Sequence, residues 1–442
     1  MSIEYSSVLD QPIEEVFAWH ERPGAFQRLT PPWLGARLVA EAPSLANGRA
    51  VIRLPGGIRW VAQHHDDDPP YRFVDDLVSL PLPWRHVHSF APEGASRTRL
   101  TDSVSTPVPA LLLQRMFAYR HAQLRDDLDV QSDLRRIDPT PRTVAVTGSS
   151  GLVGTALSAF LSTAGHRVIR LVRRAPRADD ERTWDPADPD PGVFEGVDAV
   201  VHLAGASIAG RFTSRHKEAI ASSRIEPTRR LAGALGQANG PRVLLAASAI
   251  GYYGPERGDE LLDEDAARGD GFLADVVSQW QAAAASASDA GVRVVIVRTG
   301  IVLSAAGGML ALLHPLFLAG LGGRVGDGNQ WLSWIDLDDL TDVYARALVD
   351  PSMTGVLNAV APNPVRNREL TQTLAGVLHR PARVAVPKAA VAAVLGPEGA
   401  RELACASQRV APSRLEAAGF RFRRPTLDAC LRHQLGRASA AP

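Results

Sequence analysis

Lysine and cysteine are nearly missing from this 442-residue chain. The two cysteines, Cys405 and Cys430, offer no disulfide framework, no Cys-x-x-Cys pair and no zinc spacing, and read as buried apolar residues. Lys217 and Lys388 are the only lysines, so the basic charge is almost wholly arginine. Net charge is missing too: 48 basic residues balance 48 acidic ones. Neither nucleic acid nor a membrane surface is therefore expected as a bulk partner. No apolar run is long enough to span a bilayer, and the N-terminus lacks a basic segment leading into an apolar one, which makes the cytoplasm the expected location. What the chain does have is 45% hydrophobic residues, enough for real cores, in a length that suits about three domains.

One stretch organises the rest. From Val144 to Leu161 a β-branched apolar run meets glycines and then turns helical, in the order of a first strand, a phosphate loop and a first helix. Gly148, Gly151 and Gly154 let the backbone turn tightly, approach a pyrophosphate and pack the new helix on the sheet. An ordinary tight turn is the competing explanation, but a strand precedes the loop and His166 to Val172 follows the helix as a second strand.

Residues 1–137 read as a separate domain. Ile3 to Val8 suggests a strand and Pro12 to Trp19 a helix; six strand-like runs then follow, 37–40, 50–54, 58–63, 72–79, 84–90 and 97–104, before a long helix from Pro109 to about Leu134. Residues 138–142 form a Pro-rich linker. Beyond it strands alternate with helices: 144–147, 167–172, 199–203, 242–247 and 292–298, with helices over 215–239 and 271–290. This alternation is the pattern of an α/β protein with a doubly wound parallel sheet of Rossmann type.

The end of the second strand selects the ribose. A carboxylate there accepts from a 2′-hydroxyl, whereas arginine pairs with a 2′-phosphate. This strand ends in Val172-Arg173-Arg174 with no acidic residue before Asp179, which favours NADP over NAD unless the two arginines are solvated loop charges. The third strand ends in small residues, Ala204-Gly205-Ala206, suited to close passage of the backbone beside a cofactor. His202, at that strand end, reads as a packed histidine.

From Thr147 to Gly154, through Asp198 to Ser207, Ser223-Arg224-Ile225, Ala247-Ser248 to Gly254, Arg298 to Leu303 and Trp331 to Asp336, the chain resembles an extended short-chain dehydrogenase/reductase (SDR), in the atypical branch called the epimerase family or NAD-dependent epimerase/dehydratase-like. The resemblance covers about residues 142–436. It implies an NADP-binding domain over 143–385 with a small C-terminal substrate lobe, and a C-terminal domain of unknown function over 386–436. The N-terminal segment, through Pro12-Ile-Glu-Glu-Val-Phe, Leu29-Thr-Pro-Pro-Trp33 and its last helix, resembles the polyketide cyclase/START-like (SRPBCC) superfamily. That implies an α+β helix-grip domain with an apolar cavity, although Trp33, Trp60 and Trp84 also suit a core.

By resemblance Gly148, Gly151, Leu152, Val153 and Gly154 hold the pyrophosphate, and Arg173 and Arg174 the 2′-phosphate. Leu203 and Ala204 line the adenosine side with Gly205 beside them, Arg224 reaches the cofactor, and Ile301 and Val302 border the nicotinamide. Ser248 matches the serine that hydrogen-bonds a substrate oxygen, and Tyr253 an aromatic that touches nicotinamide or substrate. Active members of the superfamily also use Tyr-x-x-x-Lys, whose lysine lowers the phenol's pKa. Here Phe272 and Val276 stand in the place of that pair, and no tyrosine has lysine four residues on. Two readings remain. One is an NADP-dependent oxidoreductase or epimerase acting on an unidentified small molecule, with Tyr252, Tyr253, Asp275, Glu264 or the Asp336 to Asp339 cluster as donor. The other is a silent NADP(H)-binding regulatory module whose N-terminal domain binds a hydrophobic ligand. Trp331 to Asp336 reads as a strand; Arg324, Trp331 and Trp334 are candidates for the pocket, and no metal is expected.

Overall fold

The computed structural model describes residues 2–438. Contacts divide it into two compact units. The first takes in the chain up to Pro139, with Ala159–Gly165 and the segment from Arg432; the second takes in Thr140–Ser158 and His166–Leu431.

The first unit is built on a seven-stranded antiparallel sheet. Ser2–Leu9 pairs with Thr98–Ser105, followed across the sheet by Arg85–Pro92, Arg72–Leu77, Arg59–Asp68, Arg49–Arg53 and Arg37–Ala40. Side chains alternate across a pleated strand. Phe90 and Leu100 therefore face inward on neighbouring strands, and they join Phe17, Trp19 and Phe73 in a core closed by Leu124 and Leu128 of the 28-residue helix Ala110–Ile137. A cavity of about 610 Å³ opens in this unit, lined by Trp60, Phe73, Trp84, Leu113 and Met116.

The second unit carries a seven-stranded parallel sheet in the order Glu181–Thr183, Arg167–Val172, Thr143–Thr147, Ala199–His202, Val243–Ala249, Arg293–Thr299, Gly355–Ala359. Numbered by sequence this is 3-2-1-4-5-6-7, the Rossmann order with one added edge strand. Strands covered by helices on both faces should read as unbroken apolar runs, and Val144, Val146, Val200, Leu244, Ala246 and Val295 are all buried. The sequence order reverses between Thr143–Thr147 and Ala199–His202, and ligands bind such sheets at that crevice.

Two expectations need correction. The helix expected over 215–239 is two helices, Ser214–Ser222 and Ile225–Gln237, because Pro227 has no N–H to give to the Ser223 carbonyl, so the helix must restart. The strand expected over 331–336 is two short pieces. Trp331–Leu332 runs antiparallel to Val365–Arg366, and Trp334–Asp336 parallel to Ile301–Leu303. Glu256–Leu262 is a further strand, parallel to Ser407–Val410.

Candidate nucleotide site

The glycine loop sits at the reversal of strand order. Gly148 adopts φ +67°, the left-handed region, and a Cβ there would lie 2.9 Å from the Leu203 carbonyl carbon and 3.0 Å from the Ala204 nitrogen. Gly151 N–H donates to the Gly148 carbonyl at 3.0 Å, closing the turn before the helix Leu152–Thr163 begins. At Gly154 a Cβ would meet that same carbonyl at 2.2 Å. Ser150 and Gly151 are exposed and Leu152 and Val153 half-buried, so the crown of the loop faces solvent at a helix N-terminus, where an anion is stabilised. The residues present therefore fit a pyrophosphate.

Thr147 fixes the opposite wall. Its hydroxyl accepts from the Leu203 and Ala204 N–H groups at 3.1 and 3.2 Å and gives its own proton to His202 Nδ1 at 2.8 Å. The other ring nitrogen, Nε2–H, then donates to Thr228 Oγ1 at 3.0 Å, which also accepts from Trp280. Burial pushes the His202 pKa down to about 4, so the ring is neutral and acts as a spacer between layers. Gly205 passes directly against Arg224, whose guanidinium a Cβ would meet at 3.0 Å. That guanidinium donates to the Ala206 and Ile220 carbonyls at 2.8 and 3.2 Å and lies over the Trp280 ring. Arg224 thus ties down the loop after the strand Ala199–His202. Leu152 reaches across to Gly307 and Gly308, and a Cβ on Gly308 would lie 3.5 Å from the Val302 carbonyl, which brings Val302 to the glycine loop. Ile301 is half-buried beside it.

The two arginines behind the second strand differ. Arg173 is exposed. Arg174 is held at 2.7 Å through both terminal nitrogens by Glu181, whose carboxylate also accepts the Arg177 N–H at 2.7 Å. Those contacts, Arg174 first, bring the Glu181 pKa down to about 2. Of the two guanidinium groups, Arg173 is the one not held by Glu181.

Ser248 and Tyr253 belong to a buried polar chain that sequence reading missed. Gln281 Nε2 donates to Ser248 Oγ at 2.7 Å, and its carbonyl accepts from Arg298 at 3.0 Å, which fixes the amide orientation. Arg298 also donates to the Tyr253 hydroxyl at 2.9 Å and lies 3.7 Å above the Tyr252 ring. Tyr253 is wholly buried, with its hydroxyl donating to Asn358 Oδ1 or the Asp263 carbonyl, each at 2.8 Å, and burial pushes its pKa up. Gln281 and Asn358 stand in no motif; Arg298 opens the Arg298 to Leu303 stretch and ends the apolar run Val294 to Val297, but neither signal points to Ser248 or Tyr253.

The carboxylates considered as donors are engaged elsewhere. Asp275 pairs with Arg268 on the surface at 2.8 Å. Glu264 is buried and accepts the Asn358 N–H at 3.0 Å, and burial raises its pKa. Asp336 caps its helix through the Asp338 N–H at 2.8 Å, Asp339 accepts the Arg423 N–H at 2.6 Å, and Asp342 grips the Arg423 side chain at 2.5 and 2.6 Å. The acidic cluster therefore anchors the C-terminal segment. Trp334 is buried with its N–H on the Asn363 carbonyl, Trp331 lies between Arg366 and Arg409, and Arg324 is exposed. Phe272 packs on Phe212, and Val276 sits in a cluster with Ile220 and Leu273.

Residues 144–358 match the NAD dependent epimerase/dehydratase family, and residues 386–434 a domain of unknown function, DUF1731. An epimerase family protein of Mycobacterium bovis is 44% identical over 291 residues, 65% of this chain and 96% of its own length. The crystal structure of a nucleoside-diphosphate sugar epimerase from Corynebacterium glutamicum is 44% identical with a TM-score of 0.87, covering 98% of this chain and 90% of that one. The human epimerase family protein SDR39U1, solved with NADPH, is 35% identical with a TM-score of 0.61, covering 66% of this chain and 99% of that one.

Proposed function

Because the chain belongs to the NAD dependent epimerase/dehydratase family, we propose that it binds NADP(H) at the Gly148 to Gly154 loop and carries out oxidoreductase or epimerase chemistry on a small molecule. The observation that carries the reading is the glycine loop at the reversal of the parallel sheet, with Leu203 and Ala204 as its far wall and Arg173 open behind it. The NADPH in the human relative's structure supports the same choice of cofactor. When bound, that cofactor supplies hydride transfer.

The chain's own residues would position and donate. Ser248 Oγ, accepting from Gln281, keeps its proton for a substrate oxygen. Gln281 and Arg298 hold that serine in one rotamer. The small molecule is unidentified; the name of the Corynebacterium relative makes a nucleoside-diphosphate sugar the first class to offer. The domain division proposed is 1–137, the linker 138–142, 143–385 and 386–436, and the N-terminal part is read as an SRPBCC/START-like helix-grip domain for an apolar ligand. Its cavity beside Trp60, Phe73 and Trp84 supports that reading.

A second reading, a silent NADP(H)-binding module, is favoured by one feature: Phe272 and Val276 are packed apolar residues and the Tyr253 phenol is already committed. Calorimetric titration with NADPH and NADH separates the possibilities when followed by single-turnover assays with sugar nucleotides and simple carbonyl compounds. Tighter binding of NADPH is expected; equal affinity would remove the 2′-phosphate argument. Firm binding with no turnover on any compound would favour the module.

A further inference from the structure

The inward face of the N-terminal sheet should be apolar, yet its middle carries a tight group of histidines and carboxylates. The register explains the grouping. Asp75 stands opposite His86, and His88, two residues further along the same strand, opposite Asp102, so all four side chains emerge on one face. All four are buried, and Asp75, His86 and His88 line the 610 Å³ cavity.

We propose that Asp75, His86 and His88 hold a divalent ion of the zinc class, with a fourth position facing the cavity. One ligand atom from each of the three lies within 4.8 Å of the others. Asp75 Oδ2 is 3.3 Å from His86 Nδ1 and 3.4 Å from His88 Nε2. Ligands on a tetrahedral ion at about 2.1 Å stand about 3.4 Å apart, so an ion fits between them with little movement. Two imidazoles and a carboxylate are also a donor set that such ions accept while keeping one position open.

A second observation is independent of these distances. Histidines that bind a metal turn their other nitrogen to a carboxylate or carbonyl. His86 Nε2 and His88 Nδ1 both point back at Asp102 Oδ1, at 3.1 and 2.7 Å, without the angles of a good hydrogen bond, and these three buried atoms have no hydrogen-bond partner. Asp102 is fixed in turn by His121 Nε2 at 3.0 Å, and His121 Nδ1 by Ser7 at 2.6 Å. An ion on the Asp75 side would fix both rings and turn their outer N–H groups onto Asp102.

The test uses the tag-free full chain, stripped with chelator and then titrated with Zn²⁺ in a calorimeter and with Co²⁺ in an absorption spectrometer. One ion per chain and the intense visible bands of four-coordinate Co²⁺ are expected. His88→Gln and Asp75→Asn should weaken Zn²⁺ binding by more than about a hundredfold, and Asp102→Asn by about 10- to 100-fold. His65→Gln should leave it unchanged, since His65 pairs with Asp66 and Asp76 instead. No stoichiometric uptake, a six-coordinate Co²⁺ spectrum, or undiminished affinity in folded Asp75→Asn would each overturn the site. The cobalt spectrum of the unmutated chain decides the matter even if that variant fails to fold.

Discussion

Glu181 holds Arg174 in a two-pronged ion pair, both N···O distances 2.7 Å, with the carboxylate almost wholly buried behind the guanidinium. This contact splits a pair of arginines that look equivalent in sequence. A planar fork already matched to one carboxylate gives little to a second anion, so Arg173 should do most of the work on a 2′-phosphate. Arg173→Ala is expected to erase most of the preference for NADPH over NADH, and Arg174→Ala to change it little. Glu181→Gln releases the fork and should tighten NADPH several-fold while leaving NADH unaffected. Equal losses from the two alanine variants in parallel titrations would show that the ion pair opens on binding.

The same contact has a pH signature. A carboxylate held below its unfolded value contributes stability that is fully present above that value and fades as pH falls through the folded one. For Glu181 the window runs from about 4.5 down to about 2. The difference in melting temperature between the native chain and Glu181→Gln should be constant above this window and shrink within it. A difference that persists at the acid end would assign the effect to packing instead of charge.

Gly154 and Gly233 make a matched pair of tests. A methyl group at Gly154 would sit 2.2 Å from the Gly148 carbonyl, whereas at Gly233, on the helix Ile225–Gln237, it meets nothing within 4 Å. Gly154→Ala must open the phosphate turn, at a cost of about 1–3 kcal/mol, and should weaken NADPH binding more than about tenfold. Gly233→Ala should be neutral or stabilising by up to about 1 kcal/mol, since alanine restricts the unfolded chain and suits the helix. Thermal melts with and without nucleotide check both. Binding that survives in Gly154→Ala would separate the glycine spacing from the pyrophosphate.

How much could be read from the residues follows from how local each signal is. The glycine loop and the apolar strands of the parallel sheet were legible because each is set within a few residues: Gly148 needs its left-handed φ, and Val144 to Val146 need burial on both faces. The break before Pro227 is equally local, but the apolar periodicity that continues across it masks it. Gln281, Arg298 and Asn358 were not legible, since their roles arise only when three separate elements meet around Tyr253. Nor was the Asp75, His86 and His88 group, which depends on strand register across two hairpins. A His-x-His pair in a strand ordinarily signals nothing more than one polar face.

Tyr253 and Ser248 should respond differently to removal of their hydroxyls. Tyr253→Phe leaves a buried Arg298 N–H and the Asn358 carbonyl without their partner, which costs about 1–3 kcal/mol of stability. Once folded, that variant should keep its nucleotide affinity and any single-turnover rate. Ser248→Ala strands the buried Gln281 N–H at a similar cost, but it also removes the proposed proton donor and should therefore lower the rate. A rate loss in Tyr253→Phe larger than in Ser248→Ala would move the acid role to the phenol.

The N-terminal unit offers a test of its own. Arg28 and Asp127 form a two-pronged ion pair at 2.7 and 2.6 Å, 5% and 0% exposed, and Gln123 donates to the same carboxylate at 3.0 Å. Water screens such a pair very little, so removing one partner strands a buried charge at a cost of about 3–5 kcal/mol, whereas replacing both with apolar residues of similar volume is often neutral. Asp127→Ala and Arg28→Ala should each lower the urea midpoint of the transition reported by the buried Trp19, and each should expose the long helix to proteolysis. Arg28→Met combined with Asp127→Leu should recover most of the loss, short of what Gln123 gives up with its acceptor. If the double variant is no more stable than either single one, the pair is irreplaceable as a positioning contact between the helices Ala25–Leu29 and Ala110–Ile137, and its value lies in geometry that apolar packing fails to reproduce.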